Sequence, residues 1–241
     1  MIDDTELARR SIRGFGELIA ALGRGCGGPE AEIRWPNALG ARIEAAAENP
    51  WFNAVVVPLG KEPPADDPRL PKCVWTLARS VPGRVEVPEI ALPCMGVALD
   101  DLALEFSGAT LFPDTVALEI LGEINERAYN DTGWFSPLVQ TLQDNRIGSY
   151  GLRNDGGDFV SVVLTLSIDD DLTMHYAATE ESHRRRGLAS SLVRTVMAKA
   201  RQEGMRSATL QASSDGLPVW ERLGFRHLAT LRGYLRPNDK L

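Results

Sequence analysis

The chain has 241 residues, 44% of them hydrophobic and 24% charged, with a net charge of -7 and three cysteines. That length suits one large domain or two modest ones, burying roughly 70–75% of the unfolded surface on folding. No apolar run approaches the ~18 residues of a membrane span, the acidic start Met1-Ile2-Asp3-Asp4 is unlike a secretory signal, and the acidic balance counts against a nucleic-acid binder. Cys26, Cys73 and Cys94 are odd in number and far apart, which excludes a disulfide framework and a zinc finger. The expectation is a metal-free cytoplasmic protein, monomer or homodimer, with no nucleic-acid or membrane partner.

In chain order, Leu7, Ile12, Leu18 and Ile19 recur at near-helical spacing and predict a helix over 5–22, ended by Gly23 and Gly25. The Ala- and Glu-rich stretch 38–48 predicts a second helix. Residues 51–57 and 73–77 read as strands, with an exposed Pro- and Asp-rich loop over 61–71 between them. Residues 81–93 hold too many prolines for a central strand.

Twelve of the fifteen prolines lie at or before Pro113, and after about Ser107 helices and strands alternate. The periodicity predicts helices over 116–129 and 137–143, then strands over 147–152 and 159–168 joined through Asn154-Asp155-Gly156-Gly157. A strand over 172–179, a long helix after Gly187, a strand over 207–212, a short helix over 218–223 and a closing strand over 225–235 complete the order. This is a mixed α/β sheet covered by helices, with a division into 1–106 and 107–241.

The chemistry concentrates between Thr173 and Gly204. A strand ending at Thr179 is followed by Arg184-Arg185-Arg186-Gly187-Leu188-Ala189, which opens a helix with Leu188, Leu192 and Val196 along one face. Unpaired N–H groups at a helix start attract anions, and a glycine there admits a phosphate without a Cβ in the way. A solvated arginine turn fits the same spacing. Neither a Walker A loop nor a GxGxxG pattern is present.

The element Arg184-x-x-Gly187-x-Ala189 after a strand resembles the Q/R-x-x-G-x-G/A signature of the GNAT superfamily of N-acetyltransferases. Residues 210–225 (LQASSDGLPVWERLGF) resemble the same family's strand–loop–helix ending in GF, and the likeness covers about the last 125 residues. It implies a GNAT fold, acetyl-CoA as co-substrate, and acetyl transfer to the primary amine of a small-molecule or peptide acceptor by direct attack in a ternary complex. It also implies that main-chain groups of Ala177, Ala178 and Thr179 bond the pantetheine arm. The amides of Arg185, Arg186, Gly187, Leu188, Ala189 and Ser190 would hold the pyrophosphate, with Arg184 and Arg186 supplying charge. The first part would be a smaller α/β half, a degenerate copy of the same fold that binds no coenzyme and walls the acceptor pocket, with Trp51, Phe52 and Trp75 as candidate liners against the ordinary and favoured reading of core packing.

Departures from the family pattern leave the proton chemistry open. The usual tyrosine acid falls at Trp220, whose indole gives up no proton at neutral pH, and an asparagine is replaced by Ser213, whose hydroxyl is free to bond a coenzyme amide or a water. The usual glutamate base corresponds to Thr173. His175 shares a strand face with Thr173 and is the candidate base, against the ordinary reading of a packed histidine. Tyr176 and Tyr234 are candidate acids, and regular alternation sets Tyr176 on the face opposite His175. The alternative function is a non-catalytic acyl-CoA-binding or regulatory protein on the same fold.

Overall fold

A 24-residue N-terminal helix, α1 (Asp4–Gly27), crosses the centre of the sheet. In the computed structural model, which describes residues 2–103, 113–130 and 133–239, Asp3 caps this helix by accepting a hydrogen bond from the Glu6 amide at 2.8 Å. Leu7, Ile12, Leu18, Ile19 and Leu22 are fully buried beneath it. Gly23 and Gly25 do not end the helix. They are points of close approach: a Cβ built on Gly23 would lie 2.3 Å from the Cβ of Ala41, and one on Gly25 2.2 Å from the carbonyl oxygen of Thr141.

Six strands precede the next helix: β1 (Glu32–Trp35), β2 (Ala38–Ala41), β3 (Ala54–Val56), β4 (Cys73–Thr76), β5 (Val85–Ala98) and β6 (Asp114–Thr115). The helix expected over 38–48 is replaced by β2 and a single 3₁₀ turn, Glu44–Ala46. Its small residues serve packing, since Ala41 lies directly beneath Gly23 of α1. The prolines of 81–93 likewise do not keep β5 out of the sheet interior. Val87 pairs with Gly233 and Ala91 with Arg232, so Pro88 falls in an irregularity where no ladder amide is needed. Pro93 contributes its carbonyl, which accepts from the Ala212 amide at 2.9 Å.

The second part follows the expected order. It contains α2 (Leu118–Tyr129), α3 (Phe135–Val139), the hairpin β7 (Ile147–Arg153) and β8 (Phe159–Ile168), β9 (Asp171–Thr179), α4 (Leu188–Gln202), β10 (Ser207–Gln211), α5 (Leu217–Arg222) and β11 (Arg226–Leu235). The eleven strands of the described residues join one sheet in the order β1-β2-β3-β4-β11-β5-β10-β9-β8-β7-β6. The proposed boundary between 106 and 107 lies outside the described residues, and the strands on either side of it interleave: β5 runs between β10 and β11, antiparallel to both.

Strand alternation divides the core into two faces. Val162, Leu164 and Leu166 of β8 pack with α1, α2 and α3, whereas Val163 packs with Leu192, Val196 and Met197 of α4. A smaller cluster lies under β3 and β4 through Val55 and Val74, opposite the α1 face. Among the described residues no helix is long and apolar enough to cross a membrane.

A Cβ on Gly14 would lie 2.3 Å from Cγ2 of Thr173, so α1 rests on β9 at a separation only glycine permits. Helix propensity alone favours Gly14→Ala by about 1 kcal/mol, while overpacking a filled contact costs about 1–3 kcal/mol. The Gly14→Ala variant is therefore expected to unfold at lower urea, with a net loss of about 1 kcal/mol. An increase in the urea midpoint would contradict this packing.

Candidate active site

The site begins where two parallel strands part. Asp171 to Met174 of β9 pair with Ser207 to Leu210 of β10, and no pairing continues beyond them. The paired end is held by the buried Asp171 carboxyl, which accepts from Ser207 Oγ at 2.5 Å and Thr209 Oγ1 at 2.7 Å. Burial pushes its pKa up, partly offset by those two hydroxyls. Beyond Leu210, β10 stays with β5, while β9 stays with β8.

At the parting point β9 carries a bulge. Tyr176 has φ +51°, and the β8–β9 register shifts between Val162↔Ala178 and Leu164↔His175. Asn125 Nδ2 of α2 donates to the Tyr176 carbonyl at 3.1 Å and secures the bulge. Beyond it the Glu180 amide donates to Val160 at 2.9 Å, so by alternation Ala178 faces β8. Ala177 and Thr179 turn their main-chain groups to the parted edge.

Helix α4 opens beside that edge. Gly187 at φ +77° is its N-cap residue and no side chain caps it, leaving the first amides of Leu188, Ala189 and Ser190 pointing out of the helix end. Arg185 is also left-handed, at φ +61°. A left-handed residue followed by a helical one forms a concave nest of N–H groups suited to an anion. The turn borders a cavity of about 620 Å³ lined also by Thr179, Arg184, Arg185 and Arg222, with Asp215 the single carboxylate among its described lining residues.

A second cavity, of about 410 Å³, lies at the other end of the parted segment. Half of its lining residues are aromatic, among them Phe15 from α1, Trp51 and Phe52 before β3, and Trp134 and Phe135 around α3. The Phe135 and Tyr176 rings are 4.6 Å apart and those of Phe52 and Trp134 5.0 Å. Thr179 borders the first cavity and His175 the second, about 13 Å apart at a strand rise of ~3.3 Å per residue.

The family model described as "Acetyltransferase (GNAT) family" matches residues 117–225, a segment that contains the parted strands, the uncapped turn and α5. Residues 117–225 form a GNAT acetyltransferase domain. A GCN5-related N-acetyltransferase from Kribbella flavida superposes with a TM-score of 0.59 at 18% identity, covering 93% of this chain and 96% of its own. A GNAT-family protein from Novosphingobium aromaticivorans superposes with a TM-score of 0.55 at 18% identity, covering 90% and 95%. These neighbours share the fold beyond the matched segment. Comparison with curated proteins gives no match. Acyl transfer is the activity class of the GNAT domain.

Against that frame of GNAT elements, the predicted residues separate. Gly187, Leu188, Ala189 and Ser190 border the first cavity with Arg185, whereas Arg186 is exposed and does not line it. Arg184 is spent internally: its guanidinium donates to the carbonyls of Thr179 and Ala128, tying the end of β9 to the last turn of α2. Ala178 is engaged with β8 and the Thr179 carbonyl with Arg184, leaving the main-chain groups of Ala177 and the Thr179 amide for a ligand. Ser213 Oγ accepts from the Gly216 amide at 3.1 Å, which fixes the turn before α5. Trp220 packs edge-on against Phe225, with ring centres 5.4 Å apart.

Two expectations about the proton-handling residues are corrected. Tyr234 lies on the opposite face of β11 from Leu231 and Leu235 and is buried with the small cluster under β4. Its hydroxyl donates to the Ala78 carbonyl at 2.9 Å, away from both cavities. His175 and Tyr176, expected on opposite faces, both line the aromatic cavity because the bulge adds one residue to the alternation. Trp75 is wholly buried, donating Nε1 to the Pro50 carbonyl at 3.0 Å, so of the three expected wall aromatics only Trp51 and Phe52 reach the cavity.

Sequence reasoning missed Phe15, Trp134, Glu126, Tyr129 and Gln211. Residues 116–129 and 5–22 were read as helices without a view of which helix ends meet. Tyr129 lines the aromatic cavity at the C-terminal end of α2, 58% exposed, and its hydroxyl feels the charges of Arg184 and Asp215 from the other cavity. Surrounding protein raises its pKa, and the phenol keeps its proton at neutral pH. Desolvation pushes the Tyr176 phenol up further.

His175 is held neutral. Burial lowers its pKa to about 3, and Nε2 is 2.7 Å from Thr173 Oγ1. Because the native pKa lies below the unfolded value of 6.5, His175 contributes stability that is complete above pH 6.5 and is lost as pH falls toward 3. Replacing it by glutamine should flatten the stability–pH curve in that window by up to one proton, about 1.4 kcal/mol per pH unit. Parallel slopes for wild type and variant in urea titrations would show that His175 titrates normally.

Proposed function

We propose that the chain is an acetyl-CoA-dependent N-acetyltransferase that acylates a primary amine by direct attack. The observation that carries this reading is the uncapped start of α4, with Gly187 left-handed, opening into a cavity rich in arginine. The parted edge of β9 leads from it to the aromatic cavity.

The residues fit such a co-substrate. A Cβ on Gly187 would meet nothing within 4 Å, so the amides face open space, and Arg185 and Arg222 supply positive charge beside them. Ala177 and Thr179 offer main-chain groups along the ~13 Å between the two cavities, as an added strand would use them. Bound acetyl-CoA supplies an activated acyl carbon, so that a carbon–nitrogen bond forms from the neutral amine as the carbon–sulfur bond breaks, the nitrogen losing a proton to solvent and the departing thiolate gaining one. Tyr129 stands at the junction with its proton retained, placed to protonate a departing sulfur. The neutral His175, with its low basicity, orients groups in the aromatic cavity.

A non-catalytic acyl-CoA-binding role is the second reading, favoured by Trp220 at the usual tyrosine position and by the weak basicity of His175. Titration calorimetry and thiol release separate the two. Forcing a β-branched residue into the left-handed conformation costs about 1–2 kcal/mol, so Gly187→Val should weaken acetyl-CoA binding about tenfold or more. Tyr129→Phe should leave acetyl-CoA affinity within about twofold and lower amine-dependent thiol release about a hundredfold. Tight binding without thiol release on a broad amine panel would establish the non-catalytic role.

A further inference from the structure

The aromatic cavity bears on which amine is used, an inference that rests on the acyl-transfer reading above. Its walls combine two features. Phe15, Trp51, Phe52, Trp134 and Phe135 present ring faces and edges, and among the described lining residues there is no lysine or arginine. The polar lining includes acceptors for a cationic amine. Glu126 is the single carboxylate among the described lining residues, and one of its oxygens, Oε1, accepts from the Ser136 amide at 2.8 Å.

Gln211 adds a second acceptor. It stands at the last position of β10, where the strands part. Its Nε2 donates to the Ser11 carbonyl at 2.8 Å and to Ser11 Oγ at 2.9 Å, which fixes the amide orientation because a carbonyl only accepts. The other end, Oε1, is buried without a hydrogen-bond partner. A buried, unpaired acceptor beside a cavity is costly unless a ligand supplies the missing N–H.

We propose that the acceptor substrate is a small primary amine carrying an aromatic or comparably bulky apolar body, of the 2-phenylethylamine type. Its ring packs among Trp51, Phe52 and Trp134, and its N–H groups answer Glu126 and Gln211 Oε1. The ammonium form is drawn by the carboxylate and the ring faces together. A strongly polar polyamine leaves the aromatic walls uncovered, and a peptide backbone brings carbonyls to a cavity already rich in acceptors.

The test uses the full chain. Thiol release from acetyl-CoA is compared for 2-phenylethylamine, spermidine and an alanine-terminated tripeptide. In parallel, binding of 2-phenylethylamine is followed by tryptophan fluorescence without acetyl-CoA, since Trp51 and Trp134 line the cavity. The expected result is a kcat/KM for 2-phenylethylamine at least tenfold above either competitor. Trp51, 37% exposed, tolerates truncation, and Trp51→Ala should raise KM for the amine about tenfold. Glu126→Gln keeps the Oε1 acceptor toward Ser136 and should raise KM about fivefold to tenfold, with acetyl-CoA affinity unchanged. Faster thiol release with spermidine or the tripeptide overturns the proposed substrate class while leaving acetyl transfer intact. No fluorescence change at millimolar 2-phenylethylamine overturns it independently of whether acetyl-CoA binds.

Discussion

The parting of β9 from β10 is the constraint on which the site depends. Two parallel strands held side by side would use up their main-chain groups on one another. Here the pairing is locked at one end by the buried Asp171 carboxyl and then abandoned, because each strand follows a different antiparallel neighbour. The edge thus exposed belongs to an interior strand, flanked by α1 and α2 on one face and α4 on the other. It is a sheet edge inside the protein, shielded from the aggregation that threatens an exposed edge.

The bulge at Tyr176 adds direction to that opening. One extra residue sends His175 and Tyr176 to the same face and turns the Tyr176 carbonyl to Asn125. The same irregularity gathers rings from α1, from the segment before β3 and from α3 around one cavity. Arg184 fastens the neighbouring end of β9 to the last turn of α2, where a cation also complements the helix dipole. Arg184, the first of the three arginines before the helix, therefore positions a wall of the site, and the charge facing a ligand falls to Arg185 and to Arg222 of α5.

How much of this was legible in the sequence follows from how local each determinant is. The turn before α4 was legible because Gly187 and the apolar row Leu188, Leu192 and Val196 specify it within ten residues. The hairpin β7–β8 announced itself through its Asn-Asp-Gly-Gly turn for the same reason. The β2 segment misled because alanine favours a helix in isolation, whereas here small residues are required under α1. The prolines of β5 misled because a register irregularity accommodates Pro88. The faces of Tyr176 and Tyr234 depended on a bulge and on a strand register set by residues more than a hundred positions away. The aromatic cavity joins Phe15, Phe52 and Trp134, and no single window of the sequence contains them.

The place of β5 also bears on how the protein can be divided. The segment matching the family model contains β10 but neither β5, on which β10 leans, nor β11, which joins β5 to β4. Cut away from its first hundred residues, the acetyltransferase segment would keep its anion-binding turn and lose the strand that draws β10 off β9. The gap between those strands would be free to zip closed. Gene fusions, truncations and domain swaps must therefore carry the whole chain, because the cleft is held open by residues outside the part that names the family.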